Sequence, residues 1–158
     1  MTKTNAMRIM EREKIPYTPH AYDEEVHDGQ EVARLVGQPF ERVFKTLVTT
    51  AGEGKYAVFV LSVGRELDLK KAARAVGVKS LTMLPQKMLQ SITGYVRGGC
   101  SPVGMKKVFP TVIDEEALSQ ETIFVSAGRR GLQVEVAPRD LARCLGASFA
   151  DVKAEAGA

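Results

Sequence analysis

Apolar and polar residues alternate along this chain with two different periods, and the switches between them mark out its elements. Ala6, Met7, Ile9 and Met10 recur at helical spacing among lysines and arginines, which predicts an amphipathic helix over 3–14. Ile15-Pro16 ends it, because proline disfavours helix in the residue before it. Residues 17–22 predict an extended edge segment, 23–29 an acidic loop, and 31–36 a short helix stopped at Gly37. Two runs rich in β-branched and aromatic residues, 43–50 and 56–63, are joined by Ala51-Gly52-Glu53-Gly54-Lys55, the signature of a hairpin. A helix over 67–76 closed by Gly77, a strand over 78–83 and a helix over 85–91 come next. Strands over 108–113, 122–126 and 132–136 follow, with a helical turn at 114–119 and a closing helix at 139–145. Several strand pairs have connections too short for a crossover helix. The pattern therefore predicts one α+β domain over residues 1–158, built on a mixed, mostly antiparallel sheet.

Composition narrows the class. A chain of 158 residues, 44% apolar and 26% charged, is long enough to bury a sizeable core as one globular domain. No apolar run approaches the roughly 18 residues that a spanning helix needs, which excludes an integral helical membrane protein. Residues 1–8 lack the apolar centre of a signal peptide, and Cys100 and Cys144 are too far apart in sequence to suggest a disulfide framework. A cytoplasmic location is the expectation. The net charge of +3 permits contact with nucleic acid without demanding it. The pairs Lys70-Lys71, Lys106-Lys107 and Arg129-Arg130 lie beside turns, where they suit either solvated surface or RNA phosphates.

The segment 94–104 packs four glycines and a proline into eleven residues. Such clustering marks positive φ or close approach to the main chain, hence an awkward corner or a ligand site. Lys45 stands inside Val43-Phe44-Lys45-Thr46-Leu47-Val48, where both strand faces are largely apolar. A lysine there either snorkels from an edge strand or serves a site, because burying its charge is costly. Ser126 and Ser101 precede turns, and neither lies in a hydrolase elbow. With His20 and His27 the only histidines, a serine–histidine–acid triad has little support. No ligand spacing suggests a metal, no glycine motif suggests a nucleotide cofactor, and Cys100 has no histidine in relation to it. What remains is a cation beside backbone amides, equipment for a carboxylate, phosphate or acyl oxygen, with no conventional base.

Four ordered motifs resemble the YbaK/EbsC family: Val43-Phe44-Lys45-Thr46-Leu47, Leu67-Asp68-Leu69-Lys70-Lys71, the stretch from Thr93 to Gly104, and Val125-Ser126-Ala127-Gly128-Arg129-Arg130-Gly131. The resemblance runs from about Pro16 to Val152. That family belongs to the prolyl-tRNA editing superfamily, related to the editing domain inserted in bacterial prolyl-tRNA synthetases. The resemblance implies a sheet curled toward a barrel with helices around it. It also implies a trans-editing deacylase that removes cysteine from Cys-tRNA(Pro) and Cys-tRNA(Cys), without a cofactor, in a ternary complex with tRNA and prolyl-tRNA synthetase. It implies further that the substrate's own thiol attacks the ester, so that the protein supplies position and electrostatics.

By the same resemblance Lys45 is the catalytic residue. Tyr22 packs on the substrate, Ser126 bonds near its cysteine, and the Gly98 and Gly99 amides hold its acyl end. Thr46, Ser101, Pro102 and Gly128 complete the implied binding set. Two departures are visible: Gln133 stands where relatives often have aspartate, and the loop from Asp23 to Gly29 is short and lacks their aromatic. Both bear on which amino acid is preferred. An alanine deacylase of the same superfamily is the sibling reading, against which Thr46 and Ser126 speak. A non-catalytic tRNA- or synthetase-binding module is the other, against which Lys45 speaks.

Overall fold

In the computed structural model, which describes residues 2–26 and 28–156, the strands fall into two sheets rather than one. The smaller has the order β1 (Tyr17–Ala21), β7 (Leu132–Val136), β6 (Ile123–Ser126), all antiparallel. The larger runs β4 (Thr82–Met83), β2 (Phe44–Gly52), β3 (Lys55–Ser62), β5 (Thr111–Asp114), β8 (Ser148–Ala150). Its β2–β3 and β2–β4 pairs are antiparallel, while β3–β5 and β5–β8 are parallel. A parallel bridge from Val43 to Phe124 joins the sheets. Among the described residues no strand pairing closes them into the barrel that the resemblance implied. His27, part of the expected acidic loop, lies outside the described residues.

Among the described residues five α-helices cover the sheets: α1 (Asn5–Arg12), α2 (Gly29–Leu35), α3 (Leu69–Val76), α4 (Leu89–Thr93) and α5 (Pro138–Leu145). Their starts follow capping chemistry. Thr4 Oγ1 accepts the Met7 N–H at 3.2 Å and donates to the Ala127 carbonyl at 2.6 Å, so α1 is capped and tied to the turn after β6. Asp28 caps α2, and Asp68 caps α3 through the N–H groups of Lys70 and Lys71. That cap explains why the helix expected from residue 67 starts two residues later. Period-two alternation on β3 divides the core. Ala57 and Phe59 face Ala72 and Ala73 of α3, whereas Val60 joins Phe44, Ile113, the inner faces of β6 and β7, and Met7, Met10 and Leu141. A small third cluster holds Val43, Val63, Phe124 and Ala33 of α2.

Two expected strands shorten and one strand is new. The strand over 78–83 shortens to Thr82–Met83. The strand expected from residue 108 begins at Thr111, because Val108 is 92% exposed and Pro110 has no N–H to extend a ladder. Strand β8 was not expected at all: three residues are too short for a readable period.

The chain's end is fastened by Asp114, which is 1% exposed. Its carboxylate accepts the Val152 N–H at 2.9 Å and the Glu116 N–H at 3.1 Å, and pairs with Lys153 at 3.4 Å. Nearby, Lys71 and Lys153 both hold Asp151, at 3.0 and 3.2 Å. Asp114→Ala strands these donors and should lower unfolding free energy by about 3 kcal/mol in urea titration. The hydrogen bond from Lys71, helped by Lys153, holds the Asp151 carboxyl down at about 2. A carboxyl lowered on folding stabilises fully above its unfolded pKa, and that contribution is lost as pH falls through the folded one. Stability should therefore drop as pH falls from about 4 to about 2, and Asp151→Asn should make that drop smaller.

Candidate active site

A cavity of about 250 Å³ opens between the start of β2, the N-terminus of α2, the outer face of the small sheet and the glycine-rich segment. Its floor is apolar, from Val32, Val43, Phe44 and Val63. Gly29 lets α2 approach that floor: a methyl group there would stand 2.6 Å from Val63 Cγ1. The polar wall comes from β6 and β7, where Ser126 and Gln133 are cross-strand partners and so share a face. Lys45 and Thr46 of β2 and Tyr22 complete the lining, with Asp28, Arg97, Gly98 and Cys100.

Polar satisfaction singles this cavity out. Among the described residues four buried side-chain oxygens have no hydrogen-bond partner. Three of them, Tyr22 Oη, Thr46 Oγ1 and Gln133 Oε1, belong to residues lining it. Buried polar atoms are nearly always paired, so three convergent exceptions describe a surface complementary to something polar. Ser126 Oγ accepts the Gly128 N–H at 3.2 Å, which leaves its own hydrogen to donate. Lys45 Nζ donates to the Arg65 carbonyl at 2.5 Å, so two of its three hydrogens remain for a ligand. Burial lowers the pKa of that ammonium, against the opposing pull of Glu66 and Asp28.

The lining has no histidine and no activated thiol, and its carboxylate, Asp28, caps α2 by accepting the Glu31 N–H at 3.2 Å. Burial pushes the Cys100 thiol up to about 12, which keeps it protonated and unreactive. His20 stands opposite Gln133 in the β1–β7 register, yet its ring bonds Glu135 at 3.0 Å and packs on Phe124.

The structure brings together Lys45, Tyr22, Thr46, Gly98 and Ser126 of the residues singled out in the sequence. Four others lie elsewhere, each with a local reason. Ser101 is buried and its Oγ accepts the Val103 N–H at 3.1 Å, forming a turn. Pro102 lines a different cavity, against Ile9 and Cys144. The Gly99 N–H bonds the Val96 carbonyl at 3.0 Å, and its Cα packs against the Arg129–Arg130 backbone, where a methyl group would stand 3.1 Å from Arg129 Cα. Gly128 serves Ser126 from behind and abuts Tyr95, whose hydroxyl donates to the Val103 carbonyl at 2.5 Å. Gly94 is the left-handed C-cap of α4, a structural corner after all. Gln133, Asp28, Gly29 and Arg97 were absent from the expected set. Only Asp28-Gly29 gave a local signal, as a capping pair at a helix start.

A small α+β domain with a cation, hydroxyls and an amide around one cavity is built to hold and polarise an acyl or amino-acid group. Known proteins narrow that class. The family model for the aminoacyl-tRNA editing domain matches residues 23–144, and the chain belongs to that family. It is 46% identical over 152 residues to EbsC of Enterococcus faecalis, provisionally named a Cys-tRNA(Pro)/Cys-tRNA(Cys) deacylase, covering 95% of this chain and 93% of that one. A proline–tRNA ligase of Stenotrophomonas maltophilia is 28% identical over 108 residues, 66% of this chain but 19% of the ligase. A crystal structure described provisionally as a trans-editing enzyme for prolyl-tRNA synthetase superposes with a TM-score of 0.82 at 25% identity, covering 98% and 100% of the two chains. Among the described residues no helix is long and apolar enough to cross a membrane.

The unpartnered hydroxyls predict an unusual stability pattern. Thr46→Val and Tyr22→Phe remove buried polar atoms that the fold leaves unpaired. Each should leave unfolding free energy unchanged or raise it by about 1 kcal/mol in urea titration. A loss of that size or more in either variant would show that the hydroxyls are paired in the folded chain.

Proposed function

We propose that this protein is an aminoacyl-tRNA deacylase that removes cysteine from Cys-tRNA(Pro) and Cys-tRNA(Cys). The observation behind this reading is the make-up of the cavity: a half-buried cation and unpartnered polar groups, with no activated nucleophile or base. Such a site suits a reaction whose nucleophile arrives with the substrate. The resemblance to EbsC across nearly the whole chain supports the choice of cysteine.

In the reaction so proposed, the cysteinyl thiol sulfur bonds to its own carbonyl carbon. The ester bond to the terminal ribose breaks, its oxygen takes the proton lost by the thiol, and a cyclic thioester leaves. Ring closure needs the thiol folded back on the carbonyl, a matter of position. Charge builds on the carbonyl oxygen as sulfur attacks and on the ribose oxygen as it leaves. Lys45 provides the cation for that charge, or for the phosphate of the terminal adenosine, and Gly98 lies beside it in the lining. Tyr22, Thr46, Ser126 and Gln133 are assigned to the amino-acid end, where a neutral amide in place of a carboxylate can both donate and accept. Which tRNA is served falls to prolyl-tRNA synthetase in a ternary complex, a role supported by the domain's similarity to a segment of a proline–tRNA ligase.

Deacylation of Cys-, Ala- and Pro-charged tRNA(Pro) tests the proposal. Wild type should clear Cys-tRNA(Pro) well above background and in preference to the other two. Lys45→Ala should lose about a hundredfold or more in rate, the usual cost of removing a positioned electrostatic group. Background rates on Cys-tRNA(Pro) would sink the reading. With serine in place of the substrate's cysteine, turnover should collapse; undiminished turnover rules out thiol attack and leaves hydrolysis.

A further inference from the structure

Charge is spread unevenly along this chain. From Leu69 to Ile113 the chain has no carboxylate, yet it has eight cations: Lys70, Lys71, Arg74, Lys79, Lys87, Arg97, Lys106 and Lys107. The net charge of +3 conceals this, because carboxylates gather elsewhere. Arg97 lines the cavity and its carbonyl accepts the Arg130 Nε–H at 2.8 Å. The Arg129–Arg130 backbone packs on Gly99, and Arg129 Nη1 reaches the Thr2 carbonyl at 3.2 Å. All three arginines are exposed, and Arg129 and Arg130 are tied to the glycine segment through Gly99 and the Arg97 carbonyl. Asp23, Glu24 and Glu25 follow Tyr22, and Glu24 packs on Gly131 next to Arg130, where a methyl group would stand 3.1 Å from Glu24 Cβ. Among the described residues Arg97, Arg129 and Arg130 form no ion pair with any carboxylate. Main-chain carbonyls hold Arg129 and Arg130, Gln86 Oε1 accepts from Arg97 Nη1 at 3.4 Å, and none of these acceptors neutralises the charge.

We infer that Arg97, Arg129 and Arg130 form a phosphate track at the mouth of the cavity, along which the backbone of the RNA substrate approaches. The track deepens the deacylase reading and rests on it for the identity of the RNA. Fixed guanidiniums with free N–H groups suit phosphate oxygens. The contacts are to phosphate and carry no sequence information, so the track positions any RNA end without selecting one.

The test is binding of unacylated tRNA as a function of potassium chloride. For Arg129→Gln/Arg130→Gln, binding should weaken and the slope of log K against log salt should fall by about 1.4 to 1.8, the counterion release of two phosphate contacts. On Cys-tRNA(Pro), KM should rise with little change in kcat. The matched control is Lys55→Gln at the far tip of the β2–β3 hairpin, which should leave the slope unchanged. Arg129→Lys/Arg130→Lys keeps the charges while losing the fork geometry, and should retain most of the slope. The inference is overturned if the glutamine variant keeps the wild-type slope, or if the lysine variant loses as much as the glutamine one. Loss of prolyl-tRNA synthetase binding with tRNA binding intact would give the strip to a protein partner and also overturn it. Because the probe is unacylated, a protein that shows the expected slopes but leaves Cys-tRNA(Pro) intact refutes the deacylase reading and not the track.

Discussion

Strand β2 serves two sheets, and the cavity exists because it does. From Phe44 onward β2 is laddered to β3, but one residue earlier Val43 bridges to Phe124 of the small sheet. The Val43 carbonyl still accepts the Val63 N–H at 2.8 Å, so the switch happens without breaking the larger sheet's edge. Val43, Phe124, Val63 and Ala33 pack into the joint and keep the sheets at a fixed separation. Lys45 and Thr46 lie just beyond the switch and so front the face on which Ser126 and Gln133 are paired. Residues far apart in sequence thus converge because one strand changes partners.

That convergence works against stability. A buried polar group without a partner costs about 1–3 kcal/mol, and a domain's net stability is only about 5–15 kcal/mol. Three unpaired oxygens and a half-desolvated ammonium are therefore a heavy load for a chain of this size. The larger core under α1 and α5, the α3 cluster and the Asp114 clamp offset it at a distance from the site. A fold tolerates such a load where a ligand later supplies the missing partners. Polar groups held rigidly in this way need no reorganisation when charge develops on a substrate, which is the basis of electrostatic catalysis.

Lys45 was legible in the sequence because a cation between apolar positions on both strand faces has no cheap place to go. Gln133 was legible only through the resemblance, as the place where relatives often have aspartate; the strand pattern alone gives no sign that it is buried and lines the cavity. The resemblance assigned Gly99 and Ser101 to the pocket as well, yet the turn at Ser101 and the packing of Gly99 on Arg129 keep them out of the lining. The antiparallel hairpin was readable from its short connection, whereas the parallel β3–β5–β8 pairing depends on crossovers that leave no local pattern. Two sheets in place of a curled one follow from the same limit.

A cavity of about 250 Å³ has room for an amino-acid end and little more. Its lining can sort side chains by size and polarity, but a single methylene is worth only about 1–3 kcal/mol in such a pocket. It has no means of reading the body of a tRNA, and cations beside its mouth would meet any phosphate backbone alike. If cysteine is the amino acid removed, the domain cannot by itself tell mischarged Cys-tRNA(Pro) from correctly charged Cys-tRNA(Cys), because the end it holds is the same in both. Discrimination must then come from whatever presents the RNA.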